Sequence, residues 1–140
     1  NAPAWYGEAA VAMRVRERPS EQALHYLDEE LASTTDPGLR EALLERRSQT
    51  LHDVYVEGFV SVSELFEERF GRPPAPLELV SSGLMTELPP DPLGGEWIRD
   101  LDGVVRSSVR AAKMEKQDLQ SAREMVRSWA EVHLAAAAPE

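Results

Sequence analysis

The sequence predicts a mainly α fold: an antiparallel bundle of four principal helices, one short helix, and a Pro/Gly-rich corner that carries a minor β-hairpin. Three observations predict it. Apolar residues recur at intervals of three, four and seven through most of the 140 residues, the spacing of a stripe along one helix face. Start and stop signals, such as Asp36-Pro37 before the longest stripe and Gly71 after it, divide that pattern into separate helices. Only the segment 96–107 departs from it, with EWIR and VVRS set either side of a DLDG turn signal.

Along residues 4–18, Trp5, Ala9, Ala12, Met13 and Arg16 keep helical spacing until Pro19. Ser20 is suited to cap the next helix, with Glu21 in its first turn and Leu24, Leu27 and Leu31 as its apolar face. These two helices form a short antiparallel pair. Asp36 then caps the longest helix, with Pro37 at its first position. Leu44, Leu51, Tyr55, Phe59, Val62, Phe66 and Phe70 share one stripe, expected to be buried over about seven turns. Gly58 within it would permit a kink or a close helix neighbour. Gly71, Arg72 and Pro73 end it.

Pro76 opens a short helix that Gly83 closes, with Leu84 folding back onto Leu79. LPPDPLGGEW follows. Pro89 and Pro90 stiffen this stretch, and Pro92 drives Asp91 to an extended backbone whose carboxylate can accept nearby amides. Gly94-Gly95 permits the reversal that delivers Trp97 to the interior. Pro89, Asp91, Pro92, Gly94, Gly95 and Trp97 therefore read as a structural corner. After the hairpin, Val105, Val109, Ala112, Leu119, Ala122, Val126, Trp129 and His133 mark a last helix of about 25 residues that starts near Ser108. Trp5, Trp97 and Trp129 are all expected in the core.

No Gly- or Ser-rich linker divides the chain. The expected organisation is one α-helical domain over 3–140, with 1–2 an expression remnant ahead of the interior of a longer protein. The net charge is −10, from 25 acidic and 15 basic residues, so the molecule as a whole repels phosphate backbones and anionic lipid. Nucleic acid is not an expected partner. Without cysteine, disulfides, thiolate metal sites and cysteine nucleophiles are excluded. No apolar run reaches the ~20 residues that span a bilayer. The compartment stays open, with an extracytoplasmic location, periplasmic or envelope-anchored, favoured over the cytoplasm.

His25, His52 and His133 lie in no ligand spacing such as H-E-x-x-H, and no serine sits in G-x-S-x-G. Each histidine reads as a helix-surface or core-edge residue. The pairs Glu29-Glu30 and Glu67-Glu68 point about 100° apart on their helices and read as solvated faces. Asp100-Leu101-Asp102-Gly103 resembles the start of a calcium loop, but VVRSSVR supplies no acid at the bidentate position. Neither a catalytic residue nor a cofactor is expected. Arg106, Arg110, Lys113 and Lys116 gather positive charge where a helix N-terminus disfavours it, which calls for a local partner. That partner is either the protein's own acids or an acidic peptide or subunit.

Two family resemblances follow from quoted stretches. The helix pair around Trp5, Ala23 and Leu27, followed by TTDPGLREALLERR, resembles a degenerate tetratricopeptide-type pair over residues 3–46. Residues 66–108, from FEERFGRPP through LPPDPLGGEW to VVRSS, resemble a module of bacterial helical-repeat proteins in which G-R-P-P, a short helix and an L-P-x-D-P-x-G-G corner follow a long helix. The same stretch is similar in part to the L-P-x-D-P-x-G succession of the major pseudopilins of type II secretion. Residues 108–135 form the long C-terminal helix after this module.

The resemblance implies a scaffold or assembly role in a larger bacterial, envelope-associated protein. The expected function is thus non-catalytic protein–protein interaction with a protein or peptide partner, with homo-oligomerisation open. The candidate surfaces are the four basic residues and a groove along the first helix pair. Two alternatives stand beside it: a pseudopilin-like secretion component, and a small-ligand or divalent-metal module in which Asp91, Asp100 and Asp102 converge.

Overall fold

The computed structural model describes residues 19–137. It is mainly helical, with α1 (Pro19–Ser33), α2 (Pro37–Phe70), α3 (Pro76–Ser81), β1 (Trp97–Arg99), β2 (Val105–Ser107) and α4 (Ser108–Ala137). The helix expected over 4–18, with Trp5, lies outside the described residues.

α1 and α2 pack antiparallel. The three residues between them are too few for any other arrangement, and the cross-links fix the register. Ser20 Oγ donates to Glu57 Oε1 at 2.5 Å, Arg47 Nε donates to Asp28 Oδ1 at 2.6 Å, and Arg40 donates to the carbonyls of Leu31 and Thr34. Arg40 thereby satisfies carbonyls that the end of α1 would otherwise leave open. Ser20 is not the expected cap: it lies inside α1, and its hydroxyl is spent on α2. Asp36 does cap α2, its Oδ1 accepting the Gly38 N–H at 3.0 Å. Gly71 closes the helix at φ 74°, its N–H bonded to the Glu67 carbonyl. α2 runs unbroken through a buried Gly58.

The α2 stripe is buried in its middle only. Phe59, Val62 and Phe66 are inaccessible, whereas Leu44 and Phe70 are exposed. α1 covers one side of the first half, and α3 with the hairpin covers the second, so both ends of the stripe project past their neighbours.

The core joins Phe59, Val62 and Phe66 to Leu79 of α3, to Leu84 and Met85 after it, and to Val105 of β2. Each such burial contributes about 1.5–3 kcal/mol. A left-handed Gly83 and the Met85 N–H to Leu79 carbonyl bond turn the chain back so that Leu84 meets the core. At the other end of α3, the Glu78 carboxylate accepts both arms of Arg72 and the Ala75 N–H, which hold its pKa down at about 2. The strands pair antiparallel, Trp97 with Ser107, Ile98 with Arg106 and Arg99 with Val105. Alternation sends Val105 and Ser107 inward and Arg106 outward.

α4 leaves this body after its first turns. From Ala112 to Ala135 every side chain is exposed except the half-buried Ala130. Trp129 is therefore not a core residue: it is 60% exposed and stacks on His133 of its own helix. No described element reaches far enough along α4 to cover it.

Candidate interaction surface and the corner that positions it

Contacts from the corner, together with those from α2 to Ser107 and Arg110, fix the direction of α4. Asp91 Oδ1 accepts the Leu93 N–H at 2.9 Å and Oδ2 accepts the Gly95 N–H at 3.0 Å, so the carboxylate closes its own turn. Oδ2 also accepts the Ser107 hydroxyl at 2.5 Å. Ser107 Oγ in turn accepts the Val109 N–H, capping α4. Beside it, Glu96 and Ser108 exchange two bonds, Ser108 N–H to the Glu96 carbonyl and Glu96 N–H to Ser108 Oγ.

Close approach at this joint explains Gly95. A Cβ there would lie 2.5 Å from Ser108 Oγ and 2.9 Å from Val109 Cγ2. Gly94 serves differently: its φ of 82° suits glycine, and the space around it is open. The last corner residue, Trp97, donates its indole N–H to the Pro89 carbonyl at 2.6 Å, and its ring packs edge-on to Phe59 and stacks on His52. Pro89 and Trp97 thus lock the two ends of the corner together, with Pro92 inside the turn.

His52 is the residue that sequence reasoning missed. It is 1% exposed, not at the surface or core edge. Its Nε2 accepts the Ser107 backbone N–H at 3.2 Å, which makes Nδ1 the protonated nitrogen, 3.1 Å from Asp53 Oδ1. Burial pushes its pKa down, against the opposing pull of Asp53. A signal was present: His52, Tyr55, Phe59, Val62 and Phe66 step by three and four, a tighter stripe than one drawn through Leu44 and Leu51.

Ser107, His52 and Asp53 are the residue types of a nucleophilic triad but not its geometry. The Ser107 hydroxyl donates to Asp91 rather than to the imidazole, and neither Ser107 nor His52 is accessible. The group ties α2, the corner and α4 into one joint.

The basic residues divide into two pairs. Arg106 forks onto Asp102 and reaches Asp100 at 2.6 Å, which raises its own pKa and lowers that of Asp102. Arg110 binds Asp53 and Gln49 of α2. Lys113 and Lys116 stand exposed on α4. Asp91, Asp100 and Asp102 do not converge. Asp91 faces Ser107, while the other two grip Arg106 across the left-handed Gly103 turn. Among the described residues no group of three or more His, Asp or Glu side chains is placed to hold a metal ion.

What this joint presents is the seam of α4. Leu119, Val126, Trp129 and Val132 are exposed along one side. Where that seam meets the hairpin there is an open groove of about 720 Å³, walled by Ile98 and Leu101 on one side and by Ala111, Leu119 and Ala122 on the other. No described helix is long and apolar enough to cross a membrane. No family model matches the chain, and no curated protein or solved structure is similar to it at a significant level.

Proposed function

We propose that the chain is a non-catalytic protein–protein interaction or scaffold domain of a larger bacterial, envelope-associated protein, and that α4 is the element through which it binds. The apolar face of α4 carries this reading. A helix held at its base by Ser107, Asp91 and Arg110, with its apolar side uncovered by any described element, is suited to receive another helix or peptide. Lys113 and Lys116, exposed on the same helix with no ion pair among the described residues, favour a partner with acidic groups. The similarity of residues 66–108 to modules of bacterial helical-repeat proteins supports the assembly role and the envelope.

The antiparallel bundle of four principal helices expected from the sequence within this one chain remains part of the proposal. Among the described residues α1 and α2 supply one antiparallel pair. Photo-crosslinking tests the reading. A photoreactive residue at Val126 captures a partner in a bacterial envelope extract, the same residue at Glu124 on the opposite face does not, and Lys113→Glu with Lys116→Glu lowers the yield. Equal capture at both positions, or none at either, overturns it.

A further inference from the structure

The seam of α4 has the pattern of a coiled coil. Ala112, Leu119, Val126 and His133 repeat every seven residues, and Glu115, Ala122 and Trp129 repeat every seven between them, three residues on. Met125 and Val132 flank them and are exposed. The groove at the hairpin is lined by Ala111, Ala112, Glu115, Asp118, Leu119 and Ala122, so it is the opening of the same seam and not a separate feature.

We propose that the occupant of this seam is the α4 of a second copy of the chain, lying antiparallel; the proposal rests on the reading of α4 as the binding element. In an antiparallel pair the two sets of seam positions face one another. With the pair centred near Glu124, Leu119 meets the Trp129 of the second copy, Ala122 meets its Val126, and Glu115 meets its His133. Each large side chain then faces a smaller one, and the seam carboxylate faces an imidazole. A parallel pair would instead set Trp129 against Trp129, Ala122 against Ala122 and Glu115 against Glu115, with one layer overfilled, one empty and one repulsive.

Charge and shape favour the same occupant. The chain carries −10, but α4 holds five bases (Arg110, Lys113, Lys116, Arg123, Arg127) against four acids (Glu115, Asp118, Glu124, Glu131). Two strongly acidic molecules therefore meet through the segment where their repulsion is weakest. The antiparallel arrangement keeps the two bodies at opposite ends of a helix about 45 Å long. It also delivers the C-terminal half of the second α4, with Trp129 and Val132, into the groove beside the hairpin.

Sedimentation equilibrium of the full chain tests this. The expected mass is twice the 15.6 kDa of the chain at high concentration, falling to the single value on dilution. Trp129→Glu or Val126→Glu abolishes the dimer while the near-ultraviolet signal of the partly buried Trp97 stays unchanged. Glu115→Lys weakens dimerisation, and adding His133→Glu in the same chain restores it, as only the antiparallel register allows. A monomer at every concentration overturns the proposal, and so does a dimer indifferent to Trp129→Glu. Failure of the paired charge exchange to restore association overturns the antiparallel register. If the chain is monomeric yet Val126 still crosslinks a different protein, self-association falls while the interaction reading stands; if neither occurs, both fall.

Discussion

The Nε2 of His52 accepts the backbone N–H of Ser107 at 3.2 Å, joining the middle of α2 to the start of α4 with both residues buried. The bond requires a neutral imidazole, because a protonated ring has no acceptor nitrogen. Burial lowers the pKa of His52 from 6.5, with Arg110 adding to the effect and Asp53 and Asp91 opposing it.

The sign of the pH dependence follows. Above the unfolded value of 6.5 neither state takes up a proton at this site, and its contribution is fully present. As the pH falls below that value the unfolded chain binds a proton that the folded chain resists, so stability declines until the folded value is passed. Urea midpoints measured from neutral pH down to pH about 5 should fall. His52→Phe should flatten that decline and lower the neutral-pH stability by about 1–3 kcal/mol, because the Ser107 N–H is left without an acceptor.

Gly95 and Gly94 are adjacent, yet their replacement should fail for different reasons. Gly95→Ala drives a methyl into Ser108 Oγ, Val109 Cγ2 and Asp91 Oδ2. Ser108 is held by Glu96 and Asp91 by Ser107, so they cannot step aside without loosening the joint. The expected cost is about 1–3 kcal/mol. Gly94→Ala meets open space and incurs only the left-handed backbone, about 1 kcal/mol. Equal urea midpoints for the two variants would contradict the close approach at Gly95.

The two described tryptophans should respond in opposite ways. Trp97→Ala removes a ring packed against Phe59, Tyr55 and His52 and should cost about 3–5 kcal/mol. Trp129→Ala removes a ring that touches only its own helix among the described residues, and the folded monomer should hold its stability to within about 0.5 kcal/mol. Fluorescence separates them, since Trp97 emits from a partly buried site against the core and Trp129 from a more exposed one.

Features decided within a few residues were legible in the sequence. The Asp36 cap, the Gly71 and Gly83 terminations, the Asp91 turn and the Asp-Gly hairpin each depend on neighbours in the chain, and their residue types state the backbone they need. The fates of His52, Ser107, Arg106 and Arg110 depend on partners brought close by tertiary packing, His52 and Ser107 lying 55 positions apart. The basic stretch at 106–116 showed that a partner was needed; only the fold shows that Asp53, Asp100 and Asp102 meet part of the need. Trp129 misled for a related reason. An apolar stripe looks the same in sequence whether its cover is the rest of the chain or another molecule, and periodicity carries no information about which.

That ambiguity can be resolved by removing the stripe. All the hydrophobic residues of the core lie between Leu27 and Val105, and the joint that holds α4 ends at Arg110. A chain ending after Lys116 therefore keeps every fully buried residue among the described ones and loses helix that is exposed except at the half-buried Ala130; the intrinsic propensity of such a helix contributes little on its own. Its stability as a monomer should fall by less than about 1 kcal/mol, and the near-ultraviolet signal of Trp97 should be preserved. A loss of several kcal/mol would mean that α4 is covered by its own chain, and the distal seam would then be core instead of interface. Retention of the fold together with loss of any concentration dependence in the urea midpoint is the result expected if the distal half of α4 serves assembly alone.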